Sequence, residues 1–195
     1  MFREPGWLQG LTALAASLFI PFAGATAAEY TIDPAHTVVS FEVRNLGIHS
    51  QRGTFKGANG TVALDAQTGN GRIDIVVDAR SIESGSPAME NFLRGRSLLD
   101  VERYPEIAYK AAHVLFVNGE PERIEGELTL HGVTRSVYLT VTRYGYASRD
   151  ASPVQRCIMA ATATFRRSDF GMTRYRVLTS DEVKLAIQAE GVPSP

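Results

Sequence analysis

Two alternating runs between Ile124 and Thr142, meeting at His131-Gly132-Val133-Thr134-Arg135, constrain this chain more than any other feature. In the first run Ile124, Gly126, Leu128 and Leu130 fall on one side, with Glu125, Glu127, Thr129 and His131 on the other. In the second, Val137, Leu139 and Val141 alternate with Ser136, Tyr138, Thr140 and Thr142. A period of two is the mark of half-buried strands, and Gly132 suits the turn that joins them into a hairpin. One inward position, Gly126, contributes no side chain to a core. A wall that is apolar but thin predicts either bulky residues opposite it or an interior occupied by something other than protein.

The same alternation recurs along the chain. Val39, Phe41 and Val43 alternate with Ser40, Glu42 and Arg44, and Ile73, Ile75 and Val77 follow the turn-like Gly69-Asn70-Gly71. Phe55 and the pair Val62 and Leu64 lie in short runs around Gly57-Ala58-Asn59-Gly60, and the run Ile107 to Val117 has no clear phase. Cys157, Met159, Ala161, Ala163 and Phe165 share a face, and Val183, Leu185 and Ile187 form the last strand. Many short strands with few helices predict an all-β fold, a single antiparallel barrel of about eight strands. Met89, Phe92 and Leu93 after Ser86-Pro87 have helical spacing, which predicts about two turns of helix closing one end of the barrel. A barrel of this size can hold one small ligand.

Alternation then assigns the lining of that interior. Strand positions Val39, Phe41, Val43, Phe55, Ile73, Ile75 and Val77 face inward in the first half. Leu128, Leu130, Val137, Leu139 and Val141 do so in the hairpin, and Met159, Ala161, Ala163, Phe165 and Leu185 in the last strands. Met89, Phe92 and Leu93 close one end, while Arg94 and Arg167 are the candidates to meet a polar head group, since guanidinium suits carboxylate or phosphate. A solvated loop whose arginines pair with acids such as Asp169 is the plainer account of the same basic stretch.

The chain opens with Arg3 and an apolar run from Leu11 to about Ala25, ending in the small residues Ala23 to Ala28. That order predicts a cleavable secretory signal over residues 1–27, followed by a domain over 28–190 and a flexible tail, 191–195. The expected destination is therefore outside the cytoplasm. Net charge is −1, which argues against nucleic acid as partner, because phosphate binding needs a basic surface. The lone Cys157 has no internal disulfide partner and sits beside Ile158 and Met159, so burial is expected.

Catalytic signatures are weak. The four histidines (His36, His49, His113, His131) show no metal-ligand spacing, and no Gly-x-Ser-x-Gly elbow precedes a helix. Asp169-Phe170-Gly171 stands without the other elements of a kinase site. No metal, no catalytic residue and no cofactor is expected from these features, beyond whatever ligand the interior holds. A lipid-modifying hydrolase or isomerase and a structural barrel with a filled core are the alternatives.

Several dispersed motifs resemble the YceI-like family of secreted, polyisoprenoid-binding proteins. They are Tyr30 to Phe41 with Asp33-Pro34-Ala35-His36, Leu46-Gly47-Ile48 with Gly53-Thr54-Phe55, and Phe92-Leu93-Arg94 with Leu99 to Ile107. Leu128 to Thr134, Arg167 to Met172 and Ser180 to Val183 complete the set. The resemblance implies a lipocalin-like barrel whose interior takes a long apolar isoprenoid or fatty lipid, and a bacterial periplasmic location. It also implies a link to a membrane b-type cytochrome or quinone pool in some relatives. The chain departs from the family in having Asn45 and Phe92 where histidine is common. Either a monomer or a homodimer is compatible with these features.

Overall fold

A computed structural model describes residues 28–45, 49–148 and 155–194, so the expected signal segment lies outside the described residues. Ten strands and one α-helix follow in chain order: β1 (Ala28–Ile32), β2 (Val38–Asn45), β3 (His49–Phe55), β4 (Asn59–Asp65), β5 (Asn70–Asp78), α1 (Pro87–Arg94), β6 (Glu106–Val117), β7 (Glu120–Leu130), β8 (Val133–Ala147), β9 (Arg156–Arg166) and β10 (Thr179–Pro193). Every strand pairing is antiparallel, and from β4 to β10 each strand pairs with the next in sequence.

The long β10 closes the barrel by changing partners. Its residues Gly191, Val192 and Pro193 pair with β1, and β1 pairs in turn with β4. Eight strands, β1 and β4 to β10, thereby form a closed ring. The earlier part of β10, Thr179 to Gln188, pairs instead with β2, which carries β3 as a hairpin partner. The chain leaving β5 meets the outer edge of β3: Thr54 and Glu83 exchange backbone hydrogen bonds of 2.8 Å, and Lys56 N–H donates to Ser81 Oγ at 3.1 Å. An otherwise exposed sheet edge is thus covered.

The hairpin at the centre of the sequence forms with Leu130 opposite Val133. His131 and Gly132 have φ of 52° and 72°, the two left-handed residues a two-residue hairpin turn requires. A Cβ on Gly132 would run into the Tyr104 ring, so glycine is needed there twice over. Ser86 caps α1 by accepting from Met89 N–H, Pro87 opens its first turn, and the Glu90 carboxylate accepts from Ser84 N–H at 3.0 Å.

Two expectations need correction, and one open phase is resolved. The expected flexible tail is strand through Pro193, and Ser194 N–H donates to Glu29 O at 2.8 Å; β1 offers it an open ladder. The uncertain phase of β6 has a cause, a register shift between Ala111 and His113. Ile107, Tyr109 and Ala111 serve the core on one parity, Val114 and Phe116 on the other. Finally, the space at Gly126 is not empty. A Cβ there would lie 2.6 Å from Tyr109 Cζ, because the Tyr109 ring crosses over the glycine. Its hydroxyl donates to Val137 O at 2.9 Å. Glycine under a cross-strand aromatic is a packing pair, and Phe41 covers Gly53 in the same way.

Candidate functional site

The barrel encloses one long apolar cavity of ≈ 530 Å³, within the range of small-molecule sites. Inward positions of β2, β5, β7 and β8 supply its wall: Val39, Phe41, Val43, Ile73, Ile75, Val77, Leu128, Leu130, Val137 and Leu139 all face it. Phe55, Met159, Ala161, Phe165 and Leu185 join them, with Met89, Phe92 and Leu93 of α1 across one end. Alternation thus brought most of the expected lining together. Two residues stand apart. Val141 and Ala163 belong to the surrounding core but do not reach the cavity. Ala163 has only a methyl group, and Leu185, opposite it in the ladder, takes that place.

Polar groups are few and mostly gathered at one end. Asn45, Gln51 and Thr179 line the cavity where β2, β3 and β10 have their mouth-side ends, and Thr179 pairs with Asn45. We call this end the mouth and the opposite end, where β1 completes the ring, the base. Tyr109 also faces the cavity, and burial holds its phenol above the ordinary range for tyrosine.

The two arginines expected to meet a head group are engaged elsewhere. Arg94 does not line the cavity; its guanidinium donates to Arg80 O at 3.0 Å and Ile82 O at 2.7 Å, with Glu90 3.8 Å away. Arg167 does reach the lining but is only 4 % exposed. It donates to the carbonyls of Ser180, Met172, Arg174 and Thr179 at 2.7–3.3 Å. Burial lowers its pKa, an effect that Asp181 nearby opposes. Both guanidinium groups tie backbone together, so the polar mouth is made by Asn45, Gln51 and Thr179. Tyr109, Tyr175 and Leu178 join the lining as well, together with strand residues such as Val62, Ile124 and Ile187; Tyr175 and Leu178 lie outside strands, where periodicity gives no signal.

The motif residues prove structural. His131 Nδ1 lies 3.1 Å from Phe170 O under the Tyr104 ring, and Phe170 is buried against Phe165. At the base, His36 Nδ1 lies 2.9 Å from Asp33 Oδ2. Arg156 Nη1 donates to Asp33 at 2.7 Å and to Glu190 Oε1 at 3.1 Å. The hydrogen bond from His36, with those from Arg156 and Ala35 N–H, holds the Asp33 carboxyl down at about 2. Asp33, His36 and Glu190 bring potential metal-ligand atoms within 4.8 Å of one another, but the Arg156 guanidinium already supplies the cation. His36 and His131 sit at opposite ends of the barrel and Asp169 is exposed, so these three do not converge on one reacting centre.

Beside that cluster lies a group of three partly exposed phenols, Tyr30, Tyr144 and Tyr146. A register shift between Val141 and Arg143 turns Tyr144 and Tyr146 onto the face of Met159 and Cys157. The two hydroxyls lie 2.8 Å apart, and the Tyr30 ring is 6.4 Å from that of Tyr146. Burial and the Tyr146 hydrogen bond push Tyr30 up to about 12, and burial likewise raises Tyr144. Cys157 is buried as expected; burial raises its thiol pKa, partly offset by a hydrogen bond with Tyr144.

Comparison with known proteins agrees with this arrangement. A UPF0312 protein of Vibrio cholerae is 31 % identical over 183 residues, covering 92 % of this chain and 94 % of its own length. A protein YceI of Salmonella arizonae is 31 % identical over 180 residues, covering 91 % of this chain and 93 % of the relative. Among solved structures, Burkholderia cenocepacia BcnA superposes with a TM-score of 0.66 at 21 % identity, covering 82 % of this chain and 98 % of that one. A polyisoprenoid binding domain from Saccharophagus degradans gives 0.62 at 15 % identity, over 86 % and 99 % of the two chains. The family model for the YceI-like domain matches residues 30–191, which is the span from the first barrel strand to the closing turn of β10 onto it. With that span, that barrel and those relatives in agreement, the chain belongs to the YceI-like family.

Proposed function

We propose that this protein is a carrier that sequesters one long apolar molecule inside its barrel and performs no chemistry on it. The observation that carries this reading is the apolar lumen of ≈ 530 Å³, with Asn45, Gln51 and Thr179 at its mouth, while the hydroxyls of Thr37 and Tyr109 further along it donate to backbone carbonyls. An amphiphile with its chain inward and its head at the mouth matches that polarity. Each buried CH₂ contributes about 0.8 kcal/mol, reduced by the cost of ordering the chain. A polyisoprenoid, an isoprenoid quinone or a fatty-acid derivative fits the description, and the Saccharophagus relative is itself described as polyisoprenoid binding. Residues 1–27 read as a secretory signal, so the working compartment is the periplasm, where a quinone ligand would connect the protein with a membrane b-type cytochrome.

Native mass spectrometry of protein taken from its own periplasm tests the proposal, since it reports occupancy and ligand mass together. A bound species of long-chain mass is expected. Ala161→Phe, which places a ring on the wall from a residue 3 % exposed, should at least halve loading while circular dichroism stays unchanged. Protein that is empty as isolated and takes up neither a prenol nor a fatty acid would overturn the carrier reading.

A further inference from the structure

The mouth carries large apolar side chains on its outside as well as its inside. Val177 is 93 % exposed, Leu178 54 %, Phe92 45 % and Tyr175 41 %. They form one patch: the Phe92 and Tyr175 rings are 5.2 Å apart, and Val177 and Leu178 follow Tyr175 directly. Phe92, Tyr175 and Leu178 also line the cavity, so the patch surrounds its opening. A contiguous exposed apolar patch at a functional opening marks an interaction surface.

The loop that bears the patch is held firmly. Buried Arg167 gathers the carbonyls of Met172, Arg174, Thr179 and Ser180 beneath it. Leu178 and Thr179 N–H both donate back to Tyr175 O, at 2.9 and 2.8 Å. Tyr175 adopts a left-handed φ of 61° at the start of this tight turn. The tip from Tyr175 to Leu178 is therefore presented outward by a rigid base rather than left to collapse onto the barrel.

Charge identifies what the patch meets. The segments immediately around the patch, 44–45, 49–51, 92–98 and 173–178, contain Arg44, Arg94, Arg96, Arg174 and Arg176 and no aspartate or glutamate, while Asp100, Glu102, Glu106 and Asp169 lie in the neighbouring segments of the same end, so the basic character is local to the lip. Arg44, Arg96 and Arg174 are exposed, and Arg176 keeps a long contact of 3.6 Å to Asp181. At the base, Asp65 ends β4 and Glu120 and Glu122 open β7, with Arg123 beside them. We infer that the mouth docks on a bilayer surface bearing anionic phospholipid, with Val177 and Leu178 dipping below the head groups and the arginines meeting phosphate. A bilayer, unlike a folded protein partner, offers apolar chains at the opening of an apolar lumen. This inference rests on the carrier reading, which it extends to how cargo enters and leaves.

Flotation of the full mature protein with vesicles tests the docking. Binding is expected to vesicles of phosphatidylcholine mixed with phosphatidylglycerol, weaker binding to phosphatidylcholine alone, and loss at high salt. Val177→Asp should lower partition about tenfold or more, and Arg174→Gln about fivefold, with the fold unchanged by circular dichroism. Val177 lies outside the cavity lining, so cargo occupancy in Val177→Asp, read by native mass spectrometry, should equal that of the wild type. Wild type that ignores anionic vesicles, or Val177→Asp that floats as well as wild type, overturns the docking. A concentration-dependent dimer abolished by Val177→Asp, without vesicle binding, would assign the patch to a second copy and overturn it too. An empty protein that still docks would sink the carrier reading alone, whereas a loaded protein that does not dock would sink only this inference.

Discussion

The two ends of the barrel are closed by opposite means. At the base, side chains do the work: β1 completes the ring, Arg156 joins Asp33 to Glu190, and half-buried Tyr144 packs beside buried Cys157, with Tyr30 and the half-exposed Tyr146 next to it. At the mouth, one buried cation holds backbone: Arg167 binds four carbonyls, and the side chains of the loop it organises point outward. A base cross-linked by an ion-pair cluster and packed phenols is tied together through its side chains. A mouth whose loop is fixed from beneath keeps its side chains available for cargo and for an outer surface. The difference gives the barrel a direction.

Removing Arg167 is the most severe way to break this contrast. Arg167→Met leaves the carbonyls of Met172, Arg174, Thr179 and Ser180 without their donor in a partly buried place. Unsatisfied groups of that kind cost about 1–3 kcal/mol each, and a total near ~3 kcal/mol is expected after local relaxation. Chemical denaturation measures the loss, and hydrogen exchange locates it. The amides of Leu178 and Thr179 should lose protection while Asp33 and Ser194 at the base retain theirs. Equal loss at both ends would mean that the barrel opens as one unit and that the contrast has no energetic content.

The base responds to pH instead. Asp33 has its folded pKa depressed to about 2, against about 3.9 in an unfolded chain. Its contribution is therefore fully present above the unfolded value and disappears as pH falls toward 2. Asp33→Asn should cost about 1 kcal/mol at neutral pH, the upper range for a partly exposed ion pair. Its melting temperature should also fall less steeply than that of the wild type between about pH 4 and pH 2. Parallel acid curves for the two proteins would remove this carboxylate from the closure of the base.

How much of this was legible in the sequence depends on how local each determinant is. The inward faces of β2, β5, β7 and β9 could be read because alternation is a property of neighbouring residues, and α1 because its cap, proline and apolar spacing lie within one segment. Gly126 shows the limit. Its meaning depends on Tyr109, which lies across the ladder on β6, and the register shift after Ala111 hid the phase of that strand. The thin wall that suggested room for a ligand is a seat for a phenol; the room is provided by the lumen as a whole. Arg167 was misread for a related reason. Its partners are main-chain carbonyls of an irregular loop, and carbonyls leave no trace in a residue pattern. Tyr175 and Leu178 were missed because loops carry no periodicity.

The smallest test sharpens the account of the base as a plug rather than a second opening. Tyr144 makes a hydroxyl contact of 2.8 Å to Tyr146 and a hydrogen bond with Cys157, but it does not line the lumen. Tyr144→Phe keeps the ring and removes only those polar contacts, a loss of about 0.7 kcal/mol within the usual range for one hydrogen bond. Cys157 is buried, so a thiol reagent reaches it only through local opening of the base. Its labelling rate should then rise about threefold, the factor corresponding to that free energy when opening is fast and reversible. Cargo occupancy should not change, because the apolar wall is intact and the polar mouth lies at the other end. If Tyr144→Phe instead altered loading as much as a change in the wall, ligand would have to extend into the phenol cluster, and the base would be part of the binding site.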